Sequence, residues 1–301
     1  MNSHKLQYIT RIILASIFVL FLPLAVRAQS LSLNILPAKI FISIEKGEKS
    51  ETSITVTNSN DFPIDISIEI ENFVPGILPG DIEFIVPMEG ESNLADWIAI
   101  DKSFFLAAQS KKDVFFQIKI PGDVSSGGYY AVIFFTAIPK ETGSTGPFHI
   151  NSRVGSLVML SVPGDISQEA IITKFSVPKI ISSGPVNFEI LIENFGNAHF
   201  RTEGNILIKN WLGRDIAAAA VEQKIVLPNG SQFLQAEWPV KFLFGFYRAE
   251  LTIEIQTGDP LLASVSFFAF PWKQLLIFLV ILTIIILISY SKGFRIIKRK
   301  R

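Results

Sequence analysis

From residue 38 to residue 270, apolar and polar side chains alternate with a period of two in block after block, and this alternation constrains the fold more than any other feature. The blocks "AKIFISI", "SETSITVTN", "PIDISIEIEN", "KKDVFFQIKIP", "YYAVIFFTAI" and "RVGSLVMLSVPG" occupy residues 38 to 164. A second series, "VNFEILIEN", "EGNILIKN", "AVEQKIVLP", "SQFLQAEWPV", "RAELTIEIQTG" and "ASVSFFAF", occupies residues 186 to 270. Successive side chains of a strand point to opposite faces, so runs rich in Ile, Val, Phe and Thr and bounded by Gly, Pro, Asn and Asp describe half-buried strands. Only "RDIAAAAVEQ" (214 to 223) has helix-forming composition, and it is too short and isolated to change the class. About a dozen short strands in this span fit two β-sandwiches better than one large sheet.

The two series also share a plan. "ITVTNSNDFPIDISIEI" (54 to 70) and "ILIENFGNAHFRTEGNILI" (190 to 208) each read as strand, Asn-containing turn and strand, with Asn58 matching Asn194. "AAQSKKDVFFQIKI" parallels "LPNGSQFLQAEWPV", and "GGYYAVIFF" parallels "GFYRAELTI", with Tyr130 matching Tyr247. The expected architecture is all-β, two tandem immunoglobulin-like β-sandwiches at 29–168 and 169–271, divided near "PGDISQEA" (163 to 170). "PKETGSTGP" (139 to 147) is expected to be a long hairpin loop inside the first sandwich, since the strand after it still needs a partner.

The ends of the chain set the expected compartment. Lys5 and Arg11 precede the apolar run "IILASIFVLFLPLAV", and Val26, Arg27 and Ala28 follow it. This is the layout of a secretory signal peptide over 1–28, cleaved after Ala28. At the other end "LLIFLVILTIIILISY" (275 to 290) is apolar apart from Thr283 and Ser289. It is long enough to be expected as one C-terminal transmembrane helix over 272–291. Trp272 and Tyr290 occupy the interfacial positions, with Lys273 beside the first. Lys292, Arg295 and Lys298 begin an all-basic tail, 292–301, that belongs on the cytoplasmic side and leaves the sandwiches extracytoplasmic in the cell membrane.

Net charge is zero only as an average. All 27 acidic residues lie between 29 and 271, which hold 17 of the 27 basic ones, so the sandwich region carries roughly −10. A nucleic-acid partner, which needs a basic footprint, is not expected. The chain contains no cysteine, which removes disulfides, thiolate metal sites and catalytic thiols.

Little else points to chemistry. In "PGDVSSGGYYAVIFF" (121 to 135) the glycines lead into a strand and not a helix, so they read as a turn; Gly127 and Gly128 are both expected to supply positive φ there. His4, His149 and His199 have no metal-ligand spacing, and His199 reads as a turn residue packed on a strand. "GSLVM" and "NGSQF" offer no nucleophile elbow, the pairs Glu69 and Glu71 or Glu189 and Glu193 read as solvent-facing strand residues, and Asn229 in "NGS" reads as a turn. No enzyme activity and no cofactor are expected. Trp97 in "ADWIAI" and Trp211 in "KNWLGRD" are the candidate ligand contacts, for stacking on a sugar ring or anchoring a protein interface.

"PAKIFISIEKGEKSETSITVTNSN", "ADWIAIDKSFFLAAQSKKDVFFQIKIPGDVSSGGYYAVIFF" and "RVGSLVMLSVPGD" together resemble the first domain, of the DUF916 type, of the WxL-interacting proteins of bacterial surfaces. The resemblance covers residues 31 to 165; the second domain looks more like a general bacterial immunoglobulin-like module. It implies two immunoglobulin-like domains, one span with a basic tail, peptidoglycan binding by the first domain and a surface or host protein as partner of the second. The expected function is a non-catalytic, membrane-anchored protein binding the cell wall, a surface protein, or both. The alternative is an extracytoplasmic assembly factor that lends an exposed strand edge to a client, with "NFEILIEN" or "KIFISIEK" as the strand.

Overall fold

A computed structural model describes residues 31–139, 152–255 and 259–298. The expected signal peptide with Ala28, most of the loop at 139–147, and His149 lie outside the described residues.

The first half of the chain forms β1 (Leu33–Leu36), β2 (Lys39–Ser43), β3 (Lys49–Asn58), β4 (Ile64–Pro75), β5 (Ile82–Ile85), the one-turn helix α1 (Leu94–Trp97), β6 (Ile98–Ala99), β7 (Ser103–Leu106), β8 (Ser110–Lys119), β9 (Gly127–Pro139) and β10 (Ser152–Val162). One sheet runs β1-β3-β8-β6, and the facing sheet runs β2-β10-β9-β4-β5 with β7 also on β4. The chain therefore changes sheets between β1 and β2: β1 is antiparallel to β3, whereas β2 lies parallel to β10. The alternation predicted from sequence appears as alternating burial, with Ile64, Ile66 and Ile68 of β4 and Val114, Phe116 and Ile118 of β8 turned into a common core. β9 and β10 pair antiparallel from Val162 back to Ser152.

The second half repeats the arrangement with β11 (Ala170–Ser176), β12 (Ile180–Ile181), β13 (Val186–Asn194), β14 (Phe200–Arg201), β15 (Glu203–Asn210), β16 (Asp215–Ala220), β17 (Ile225–Val226), β18 (Ser231–Trp238), β19 (Gly245–Glu254) and β20 (Leu261–Ala269). β11-β13-β18 faces β12-β20-β19-β15-β16, and β12 is parallel to β20 as β2 is to β10. A separate core, with Phe188, Ile190, Ile206, Leu234 and Leu251 at its centre, fills the space between them. "RDIAAAAVEQ" contributes the strand β16 and not a helix, because its cross-strand pairing to β15 outweighs a weak local propensity.

Two buried asparagines explain why the two halves match. Asn58 donates from Nδ2 to the carbonyls of Phe62 (3.0 Å) and Ala107 (2.9 Å) and accepts from the Asn60 amide at 2.9 Å. Asn194 donates to Ala198 (2.9 Å) and Val226 (3.1 Å) and accepts from the Gly196 amide at 2.9 Å. Each side chain folds its own turn and ties it to a neighbouring strand. The turns before β8 and β18 match as well, with Gln109 (φ 50°) and Asn229 (φ 56°) both in the left-handed region.

After β20 the chain enters α2 (Trp272–Lys298), a 27-residue helix. Its side chains are described as far as Ile288, and among the described residues no helix is long and apolar enough to cross a membrane. Leu275 to Ile288 are apolar apart from Thr283, and the large hydrophobic residues among them are exposed. The side chains of Tyr290, Lys292, Arg295 and Lys298 lie beyond that limit.

Candidate functional site

The two sandwiches meet where the glycine pair begins β9. Gly127 is at φ +142°, as a turn requires, whereas Gly128 is not in the positive-φ region; the expectation for Gly128 is corrected. A Cβ on Gly128 would stand 1.9 Å from the Tyr130 hydroxyl, so this glycine is a matter of space and not of backbone conformation. The room it leaves lets the Tyr130 hydroxyl accept the His199 amide at 3.0 Å and approach the His199 Nδ1 at 3.1 Å, donating to it when the imidazole is neutral. The Gly128 amide donates to the Asn197 carbonyl at 2.8 Å, and the Gly80 amide to Ser231 at 2.8 Å. A small apolar cluster, Phe73, Tyr130, Val132 and Met159 from the first sandwich with Ile225 and Leu227 from the second, fills the rest of the contact.

Burial lowers the His199 pKa and raises that of Tyr130. A histidine depressed by folding stays neutral while the unfolded chain takes up a proton. Its stabilising share is therefore complete above the ordinary value of about 6.5 and is lost as pH falls toward the lowered folded value. Thermal melts should show the contact between the sandwiches weakening from neutral to mildly acidic pH, and His199→Asn should flatten that dependence.

Beside this contact lies a cleft of about 650 Å³, lined on one side by Lys39, Phe41, Leu157 and Met159 and on the other by Arg201 and Lys224. Phe41 is 44 % exposed; the Arg201 guanidinium lies 5.4 Å from its ring centre and the His199 ring 6.0 Å away. β2, which carries Lys39 and Phe41, is the outermost strand of its sheet. In a parallel ladder alternate residues face the neighbour, and the bonds from Leu157 to Ala38 and from Ile44 to Ser161 show that the even-numbered residues of this segment face β10. The amides and carbonyls of Lys39, Phe41 and Ser43 consequently point away from the sheet, with no backbone partner among the described residues.

Two other sheet margins are less suited to pairing. β11 carries a register break between Ile172 and Lys174, which bends and twists an edge. β5 has four residues. The other strand considered from sequence, "NFEILIEN", is β13, and it is paired on both sides by β11 and β18. It has no free edge, so that expectation is corrected in favour of "KIFISIEK".

The two tryptophans separate. Trp97 is half-buried on the first core with its ring 4.7 Å from that of Tyr129. Trp211 is 73 % exposed at the turn between β15 and β16. His199 was legible as a turn residue, but its role between sandwiches was not, since its partner Tyr130 is 69 positions away. Among the described residues no group of three His, Cys, Asp or Glu is placed to hold a metal ion.

No protein-family model matches the chain, and no curated protein does. Its backbone is similar to those of several solved fimbrial chaperones. The Class 5 fimbriae chaperone CfaA shares 14 % identity, covering 77 % of this chain and 98 % of its own, at a TM-score of 0.43. A chain of the Salmonella enterica SafA pilin and SafB chaperone complex shares 12 % over 79 % of this chain and 98 % of its own, at 0.39. The E. coli chaperone DraB shares 12 % over 79 % and 96 %, at 0.38. The double-sandwich architecture rests on the strand pairing of this chain itself.

Proposed function

We propose that this chain is a non-catalytic, membrane-held, extracytoplasmic protein that takes up an extended segment of a second protein along the open edge of β2. The observation that carries this reading is the row of outward-pointing backbone groups at Lys39, Phe41 and Ser43 beside a cleft with an exposed aromatic ring. Strand addition draws affinity from main-chain hydrogen bonds and selectivity from alternate side-chain pockets, and both elements are present. Membrane attachment is supported by the exposed apolar side chains that α2 carries from Leu275 to Ile288. Peptidoglycan enters through the family resemblance of the first domain, where Trp97 is half-buried against Tyr129.

The test is a photocrosslinking residue placed at Phe41 in the full chain in its native envelope, with a second at Phe115 on the opposite sheet. One discrete protein adduct is expected at position 41 and none at 115. Ser43→Pro removes one outward amide without touching the ladder to β10, and should lower adduct yield about tenfold, the loss of roughly 1.4 kcal/mol. An adduct unchanged by Ser43→Pro, or adducts at 115 alone, would overturn the reading. With irradiation at successive times after client synthesis is stopped, an adduct yield that falls identifies an assembly factor and a constant yield identifies a tether.

A further inference from the structure

Most of the exposed aromatic residues of the second sandwich gather at one end; Phe195 and Phe233 lie toward the other. β12, β20, β19, β15 and β16 lie side by side in that order. Pairing of Ile180 with Phe268, Gly245 with Ala269 and Asn210 with Tyr247 brings the end of β20, the start of β19 and the β15–β16 turn to the same margin. Ile180, Trp211, Leu212, Phe242, Phe244 and Phe246 all project there, each between 54 and 73 % exposed. Two of them belong to one chain of rings: Phe246 and Phe268 are 4.6 Å apart, and Phe270 lies 6.3 Å from both Phe268 and Phe244. An exposed apolar margin of this kind on a sandwich marks a surface that is covered by something.

Two further observations say by what. The chain leaves this margin directly into α2: Ala269 ends β20, the Phe270 amide is still bonded to Ile181, and the helix starts at Trp272. No linker separates the aromatic end from the apolar helix. The charges around the margin are mostly basic. Lys179, Arg214, Lys241 and Lys273 surround it, and the acid in its turns, Asp215, lies 3.9 Å from Lys209. Aromatic rings with a basic rim suit the headgroup layer of a bilayer containing anionic lipid.

The geometry points to a lipid bilayer as the occupant: the second sandwich rests end-on upon the membrane through this aromatic margin. Trp211 is then an interfacial anchor and not a sugar platform. This inference rests on the reading of α2 as a membrane anchor.

The chain has no native cysteine, so single spin labels report depth without background. Labels at Leu212→Cys, Phe242→Cys, Glu254→Cys and Ile284→Cys are introduced into the full chain, reconstituted in phosphatidylcholine vesicles containing one quarter phosphatidylglycerol. Glu254 ends β19 at the opposite margin, roughly 30 Å from Gly245. Labels at 212, 242 and 284 should collide more with dissolved oxygen than with a water-soluble nickel chelate, and the label at 254 the reverse. Lipid exposure at 284 with water exposure at 212 and 242 would overturn the docked margin while leaving the anchor intact. Water exposure at 284 would instead remove the anchor, and the docked margin with it.

Discussion

Replacing Asn194 with alanine should lower the stability of the second sandwich by about 3–5 kcal/mol and leave the first nearly unchanged. The substitution strips partners from three buried groups, the carbonyls of Ala198 and Val226 and the amide of Gly196, at roughly 1–3 kcal/mol each, with part of the loss recovered by relaxation. The same change at Asn58 should act on the first sandwich, where the carbonyls of Phe62 and Ala107 and the Asn60 amide are left in the same position. Because the two cores are separate clusters, the damage should stay local. Hydrogen exchange followed by peptide mass resolves the two: peptides from 170–269 should lose protection in Asn194→Ala, and peptides from 33–162 in Asn58→Ala. Uniform loss in either variant would show that the sandwiches unfold as one unit and that the duplication of the clamp has no local meaning.

Gly128→Ala is the second substitution of large effect, and it acts between the sandwiches. The new methyl would stand 1.9 Å from the Tyr130 hydroxyl and 2.6 Å from its Cζ. The ring has nowhere to swing, with Phe73 at 5.6 Å and His199 at 5.5 Å. Displacement therefore breaks both contacts to His199, a loss of about 2–3 kcal/mol for two hydrogen bonds in a low-dielectric contact. Protection should fall at residues 197–200 and in the turn before β9 while both cores stay protected. Tyr130→Phe should reproduce most of the change. Gly122→Ala, where nothing lies within 4 Å of the new carbon, should be silent. Full protection at 197–200 in Gly128→Ala would mean that the interface is held by the Phe73, Met159 and Ile225 cluster instead.

What the sequence discloses about this chain is what local pattern can disclose. Period-two alternation in β3, β4, β8 and β13 follows from the pleat, so these strands and the sandwich class are legible residue by residue. The correspondence of Asn58 with Asn194 is visible as spacing, and the structure supplies its reason. β16 is misread because four alanines carry helix propensity, while the strand state is imposed by β15. The parallel pairing of β2 with β10 joins segments more than a hundred residues apart and leaves no local mark. For the same reason the aromatic margin is invisible in sequence, since Trp211, Phe244 and Phe268 lie on different strands or turns, and an exposed tryptophan at a turn looks alike whether it meets a sugar or a lipid.

The register of β2 has a bearing on how the protein is made. Ser156 donates to the Pro37 carbonyl across 119 positions of chain, and β2 pairs with Leu157–Ser161. A ribosome delivers Lys39–Ser43 long before that partner exists, and closing so long a loop costs about 4 kcal/mol in chain entropy beyond a constant. Until then the segment is a strand with two unsatisfied edges, flanked by Lys39 and Lys46 as gatekeepers against pairing with its like. Nascent chains ending short of residue 157 are thus the forms of this protein most prone to associate with one another.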